Sequence, residues 1–165
     1  MTEAELERLL RELHERGVQF IVIGGMAAVA QGSSFLTADL DLCYSRDKKN
    51  LEKLAGVLAP YHPVLRGAPR DLPFHLDARA LSSGLNFTLS TDIGDLDLIG
   101  EVTGLGGYKE VLKFSGELEI FGIPVRVLTL EGLIKSKEAC ARDKDLRVLP
   151  ELRALQEMRK AQKKN

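Results

Sequence analysis

The stretch IVIGG at residues 21–25, followed after 13 intervening residues by DLDL at residues 39–42, decides the fold of this chain. The β-branched and aromatic residues leading into the first stretch predict a buried strand over residues 18–23. Gly24 and Gly25 break that strand before a short helix. Glycines at such a junction let the backbone approach a phosphate, although the same pair is also typical of an ordinary tight turn.

The second stretch predicts a strand with two very different faces. Alternate residues of a strand point the same way, so Asp39 and Asp41 share one face while Leu40 and Leu42 face the core. Two neighbouring carboxylates repel each other, and a divalent cation such as Mg²⁺ removes that repulsion. The pair therefore predicts a metal site, provided that it lies in a cleft.

A third acidic residue on a later strand strengthens this interpretation. Asp97 lies between two leucines, which forces its side chain to the polar face of its predicted strand; Asp95 is closer to the turn. Ten Asp placed at random would give about 0.6 Asp-x-Asp pairs, so one pair alone is weak evidence of a site. The chain has three. The last, Asp143 and Asp145, falls in helical sequence, where it is expected to be surface charge.

The combination of these motifs resembles the nucleotidyltransferase superfamily related to DNA polymerase beta. That family is marked by a Gly-Gly or Gly-Ser turn, a spacer and an Asp-x-Asp strand, as at residues 21–25 and 37–42 here. Residues 94–99 look like the strand that carries the family's third carboxylate. Residues 133–146 resemble the lysine-to-Arg-x-Lys-Asp helix of small bacterial nucleotidyltransferases, including toxin-like branches. The likeness covers roughly residues 9–155.

The resemblance implies catalytic and metal-binding roles for three carboxylates. Asp39 and Asp41 would bind Mg²⁺ and the nucleoside triphosphate. Asp97 would complete a second metal site and help to activate an acceptor hydroxyl. Two Mg²⁺ ions can clamp the attacking and leaving oxygens of an in-line displacement, so such proteins need little else for the chemistry.

The resemblance also implies nucleotide-binding roles outside the carboxylates. Gly24 and Gly25 would receive the phosphates, and Lys137 and Arg142 would counter the charge of the triphosphate. An equally good interpretation of the two basic residues is a solvated helix face that complements the helix dipole.

Two positions depart from the family pattern. Many relatives have Ser where this chain has Gly25, and many have Arg where it has Phe35. A basic group near the phosphates is therefore expected to be missing, which bears on catalysis more than on fold.

The composition sets broad limits on function and location. A net charge of −1 provides no global basic field for nucleic acid, and 5% aromatic residues do not favour a stacking platform. No apolar run approaches the ~20 residues that span a bilayer, and the N-terminus is acidic rather than signal-like. We therefore expect a cytoplasmic protein with no membrane association. The cysteines Cys43 and Cys140 are expected to be free thiols that serve packing.

The order of elements predicts an α/β (α+β) fold, a mixed β-sheet with helices packed against it, in one domain over residues 1–165. The C-terminal helices are expected over about residues 129–161, with Pro150 near the first turn of the last one. Residues 60–81 hold four of the six prolines and are expected to form a long loop with up to one edge strand.

Three functions fit these observations. The first is Mg²⁺-dependent transfer of NMP from an NTP to a hydroxyl of an acceptor, which would be RNA, protein or a small molecule. The second is a nucleotide-binding module with weak or no catalysis, or one component of a toxin–antitoxin-type pair with a partner protein. The third is a structural domain with incidental acidic strands. Asn86 and Thr88 either line the cleft or lie on a polar sheet face.

Overall fold

The computed structural model describes residues 1–69 and 71–164. Within these residues the chain forms seven α-helices, a short 3-10 helix (Ala59–Tyr61) and nine strands. The helices are α1 (Glu3–Glu15), α2 (Gly24–Ala30), α3 (Lys48–Leu58), α4 (Ala78–Ser83), α5 (Tyr108–Leu112), α6 (Leu130–Cys140) and α7 (Asp143–Lys163). The strands are β1 (Phe20–Ile23), β2 (Leu40–Tyr44), β3 (Val64–Leu65), β4 (Asn86–Thr91), β5 (Gly94–Ile99), β6 (Glu101–Val102), β7 (Gly106–Gly107), β8 (Ser115–Ile120) and β9 (Ile123–Leu128).

One mixed sheet holds seven of these strands, in the order β3-β4-β5-β2-β1-β9-β8. The pairs β2–β5 and β1–β9 are parallel, and the other neighbours are antiparallel. Strands β6 and β7 form a separate two-stranded hairpin. The predicted mixed sheet with helices packed against it is confirmed.

The centre of the sheet has the two-faced character that the sequence predicts. Leu40 and Leu42 of β2 lie beside Leu96 and Leu98 of β5, and all four are fully buried. Because alternate residues face opposite sides, the acidic residues of both strands share the other face. The leucines anchor the strands in the core and thereby fix the direction of the carboxylates.

Capping residues set the start of several helices as expected. Thr2 and Glu5 form a reciprocal capping box at α1, with Glu5 Oε2 accepting from the Thr2 N–H at 2.6 Å. Thr129 caps α6 through its hydroxyl, which accepts from the Gly132 N–H. The cysteines Cys43 and Cys140 are free, and burial raises the pKa of the Cys43 thiol to about 12.

Two sequence-based expectations about elements are wrong. The stretch expected to be a loop with up to one edge strand contains β3 but also the short helix α4, capped by Asp77 Oδ1 at 2.7 Å from the Ala80 N–H. Helix α7 begins at Asp143, so Pro150 lies inside it rather than near its first turn. An internal proline costs roughly 3 kcal/mol. The burial of Val148 and Leu149 offsets that cost, since burying such a side chain stabilises by about 1.5–3 kcal/mol.

Candidate functional site

The turn between β1 and α2 brings the backbone against an acidic side chain. Gly24 has a φ of +63°, which is costly for other residues, and a Cβ built on it would lie 2.1 Å from Asp41 Oδ2. A Cβ on Gly25 would lie 2.8 Å from the Thr37 side chain. Both positions therefore require glycine for close approach, and the backbone at Gly24 forms one wall of the acidic site.

Asp41 and Asp97 lie side by side on parallel strands. Their Cα atoms are partners in the β2–β5 register, and Asp39 immediately precedes β2 on the same face. Burial, first, and the negative charges of Asp97 and Asp39 together raise the pKa of Asp41 to about 6, against smaller opposing effects of Lys137 and Lys144. The structure thus brings together the three carboxylates that the sequence singles out, in a partly buried and repulsive arrangement.

Arg66 holds the third carboxylate of this group. Its Nη2 lies 2.8 Å from Asp97 Oδ1, and its Nε lies 3.0 Å from Asp95 Oδ2. Burial raises the pKa of Asp97, while Arg66 lowers it and the charges of Asp39 and Asp95 raise it. Sequence reasoning missed Arg66, because it comes from a turn after the edge strand β3 and no local pattern connects it to β5.

The donor atoms around this site suit a hard divalent cation, which prefers carboxylate oxygens. The glycine turn leaves room that a Cβ at position 24 would fill, so the residues fit a metal at Asp39 and Asp41. Over residues 1–69 and 71–164, however, no group of three or more His, Cys, Asp or Glu is arranged to hold a metal ion. The three carboxylates are neighbours without forming a complete three-residue ligand set.

An ion cluster centred on the buried Asp145 also lines the cleft. Asp145 is only 1% exposed, with Oδ1 2.9 Å from Lys137 Nζ and Oδ2 2.5 Å from Arg142 Nε. These hydrogen bonds lower the pKa of Asp145 against the opposing effect of burial. The expectation that Asp145 is surface charge is wrong, because α6 and α7 pack together and enclose its side chain. Lys137 and Arg142 both bind one buried carboxylate; the Lys137 side chain is mostly covered, at 19% exposed, whereas that of Arg142 is 59% exposed.

The acidic strands and the basic helices line one cleft of about 720 Å³. Lys137, Arg142 and Lys144 contribute to its wall, so cationic groups are present despite the missing Arg at Phe35. Asn86 and Thr88 were expected either to line the cleft or to lie on a polar face of the sheet. Asn86 lines the cleft, whereas Thr88 is not among the lining residues. The predicted metal-binding and nucleotide-binding residues therefore meet in one place.

An apolar edge lies at the mouth of the cleft. Phe35 and Leu36 both line it, with exposed fractions of 48% and 100%. Their loop is tied to α7 by Glu151, whose carboxylate accepts hydrogen bonds of 2.7 Å from the Ser33 hydroxyl and from both the N–H and the hydroxyl of Ser34. The position where relatives have Arg thus presents an aromatic surface to whatever enters the cleft.

None of the helices in the described part of the chain is both long and apolar enough to cross a membrane.

Comparison with known proteins shows similarity in structure. No family model and no curated protein sequence matches the chain. A solved structure of the lincosamide antibiotic adenylyltransferase LnuA, with lincomycin bound, superimposes with a TM-score of 0.58 at 15% identity, covering 94% of this chain and 98% of that one. An antigenic nucleotidyltransferase-like protein from Paracoccidioides brasiliensis gives 0.56 at 14%, covering 91% and 74%. A provisionally assigned nucleotidyltransferase from Thermotoga maritima gives 0.52 at 16%, covering 100% and 97%. At these identities the likeness concerns the fold.

Proposed function

We propose that this chain, which has the nucleotidyltransferase fold, is a Mg²⁺-dependent nucleotidyltransferase that moves NMP from an NTP to a hydroxyl of an acceptor. The observation that carries the proposal is the pairing of Asp41 with Asp97 on adjacent parallel strands, directly against the Gly24 backbone. Structural domains have no need for neighbouring carboxylates in a cleft, because their repulsion destabilises the fold.

The distribution of charge supports the same function. Among the described residues, Asp39 and Asp41 make no ion pair, so the strand side of the cleft is negative. On the helix side, Lys137 and Arg142 share the single negative charge of Asp145, which leaves a net positive wall. Negative oxygens opposite fixed cations are complementary to a metal–triphosphate complex.

Each group then has a distinct task. When bound, Mg²⁺ would offset part of the negative charge of the triphosphate and act as a Lewis acid on its phosphoryl oxygens. Asp39 and Asp41 would hold it, and the Gly24–Gly25 backbone would lie close to the phosphates because no Cβ intervenes. Asp97 would orient the acceptor hydroxyl and accept its proton as the acceptor oxygen bonds to the α-phosphorus and pyrophosphate leaves. Its raised pKa makes Asp97 a better proton acceptor than an ordinary carboxylate.

The cleft has the volume of an ordinary ligand site. A volume of about 720 Å³ falls within the roughly 300–1,000 Å³ of typical ligand sites. Lys137 and Arg142 are preorganised by Asp145, so they would meet the phosphates without first being ordered. Phe35 and Leu36 would border the acceptor or the nucleobase at the mouth.

A second candidate is a nucleotide-binding module that does not turn over. Phe35 in place of a family Arg removes one phosphate ligand, and the ion pair between Arg66 and Asp97 occupies the residue assigned to the acceptor hydroxyl. These two observations favour binding without transfer, so the experiment measures both.

The test combines purified protein, Mg²⁺ and α-labelled NTPs with total RNA and cell lysate as acceptors. ATP comes first, because one structural neighbour is an adenylyltransferase. We expect label to move to an acceptor with wild type and not with the Asp39→Ala, Asp41→Ala double variant. NTP binding is followed in parallel with a fluorescent analogue.

A matched control separates the site from general loss of acidic charge. Asp92→Asn removes a carboxylate that is 59% exposed and paired with His62 on a loop, so transfer should stay at the wild-type level. Binding without transfer to any acceptor would favour the binding module. Absence of both binding and transfer in folded wild type would refute the proposed function.

A further inference from the structure

Arg66 is built into the sheet at the acidic site and is not a loose surface residue. Its N–H donates to the Thr88 carbonyl at 2.9 Å, extending the β3–β4 pairing by one residue. Its Nη2 donates to the Leu89 carbonyl at 2.9 Å and to Asp97 Oδ1 at 2.8 Å. The side chain therefore crosses β4 and reaches β5 while staying attached to the backbone of both β3 and β4.

The other side of the guanidinium is held by Asp95. The Arg66 Nε is buried and lies 3.0 Å from Asp95 Oδ2, yet it donates no hydrogen bond, so this contact is electrostatic. Asp95 is itself fixed by the Ser90 hydroxyl, which donates to its Oδ1 at 2.8 Å. With its side chain 30% exposed, Arg66 is confined between two carboxylates. Ion pairs of this kind differ from single exposed pairs, which contribute little.

We infer that the Arg66 guanidinium stands where a second cation would bind, and that the chain consequently holds one divalent ion, at Asp39 and Asp41. The inference rests on the proposed function, which supplies the cation site, and it revises the expectation of two Mg²⁺ ions. Asp97 would then act with a permanently charged partner, since a guanidinium does not lose its proton in proteins.

The size of the effect follows from Coulomb's law. A cation bound by Asp97 would approach the guanidinium, which lies 2.8 Å from that carboxylate, and like charges at such separations repel strongly even at an effective dielectric constant of about 20. The same guanidinium also neutralises the carboxylate that the ion would need. Removing Arg66 should therefore strengthen binding of a second ion by at least about tenfold.

The test counts bound Mn²⁺ by electron paramagnetic resonance and titration calorimetry, without nucleotide. We expect one ion per chain for wild type and two for Arg66→Met, which keeps an unbranched apolar stem. The control Arg126→Met removes an exposed Arg of β9 and should leave one ion. The double variant Arg66→Met, Asp97→Asn should return to one ion, because the new site loses its carboxylate.

A second comparison covers the case in which Arg66→Met fails to fold by circular dichroism. Asp97→Asn in the wild-type background should still bind one ion, because Asp39 and Asp41 hold it, and Asp41→Asn should lose it. Two ions in wild type, or one ion in folded Arg66→Met, or loss of the ion in Asp97→Asn, would each overturn the inference while leaving the proposed function standing. No Mn²⁺ in folded wild type would overturn both.

Discussion

Replacing Asp41 with Asn is expected to stabilise the metal-free protein at neutral pH while abolishing nucleotidyl transfer. The two side chains have nearly the same shape, so the substitution changes charge and little else. Asp41 lies beside Asp97 and Asp39, and the opposing positive charges of Lys137 and Lys144 have smaller effects on its pKa. Removing its charge thus relieves a repulsion that the fold would otherwise carry.

The sign of the pH dependence follows from the pKa of Asp41, which is raised from 3.8 to about 6 on folding. Between these values the folded state binds more protons than the unfolded state, so stability falls as the pH rises through this window. The penalty is absent below about pH 4 and complete above about pH 6. Asn carries no charge at any pH, so the variant does not lose stability as the pH rises through this window.

The magnitude comes from the same shift. Raising the pKa of Asp41 by about 2 corresponds to up to about 3 kcal/mol, at 1.36 kcal/mol per pKa unit. For a chain of this size each kcal/mol moves the unfolding temperature by roughly 2–4 °C. The variant should therefore unfold up to about 6–12 °C above wild type at pH 7.5, and at the same temperature at pH 4.

The assay is thermal unfolding in EDTA across pH 4 to pH 8, with Asp92→Asn as the control for general charge effects. Added Mg²⁺ should raise the unfolding temperature of wild type and leave that of the variant unchanged, since a ligand stabilises only the state that binds it. An Asp41→Asn protein that unfolds at or below the wild-type temperature at pH 7.5 would refute the reasoning. The charge of Asp41 would then be compensated in the folded protein.

Two further substitutions test the walls of the cleft. Gly24→Ala places a Cβ 2.1 Å from the Asp41 carboxylate at a φ of +63°, so binding of a fluorescent NTP should weaken at least about tenfold. The control Gly67→Ala has similar backbone strain but no atom within 4 Å of the new Cβ, so it should bind the NTP normally. Equal binding by both variants would contradict the prediction. Asp145→Ala leaves the mostly covered Lys137 ammonium without its partner and should cost about 3 kcal/mol in urea unfolding. An unchanged urea midpoint would show that the ion cluster contributes nothing.

The strand register of the site could be predicted from sequence because its causes are local. Alternation of Asp and Leu fixes which face of β2 and β5 is polar, and the sheet then pairs Asp41 with Asp97. Helix starts at Thr2 and Thr129 were equally predictable, since each cap acts within three residues of itself.

The remaining features of the site depend on contacts between distant parts of the chain. Arg66 reaches Asp97 across 31 positions of sequence, and no periodicity marks such a pair. Asp145 looks like a surface residue from helical spacing alone, because its burial depends on how α6 packs against α7. Helix α4 could not be predicted, because it follows a proline-rich stretch and its six residues are too few to show a hydrophobic period.

The acidic site is tolerable because the same two strands bury a larger apolar surface on their other face. Leu40, Leu42, Leu96 and Leu98 are each fully buried, and each contributes about 1.5–3 kcal/mol relative to exposure. Together they supply roughly 6–12 kcal/mol, against a repulsion at Asp41 of up to about 3 kcal/mol. The alternation that aims the carboxylates into the cleft therefore also anchors the strands that hold them. A Leu→Ala change in β2 or β5 should accordingly weaken both stability and cation binding, because it loosens the strands on which the carboxylates stand.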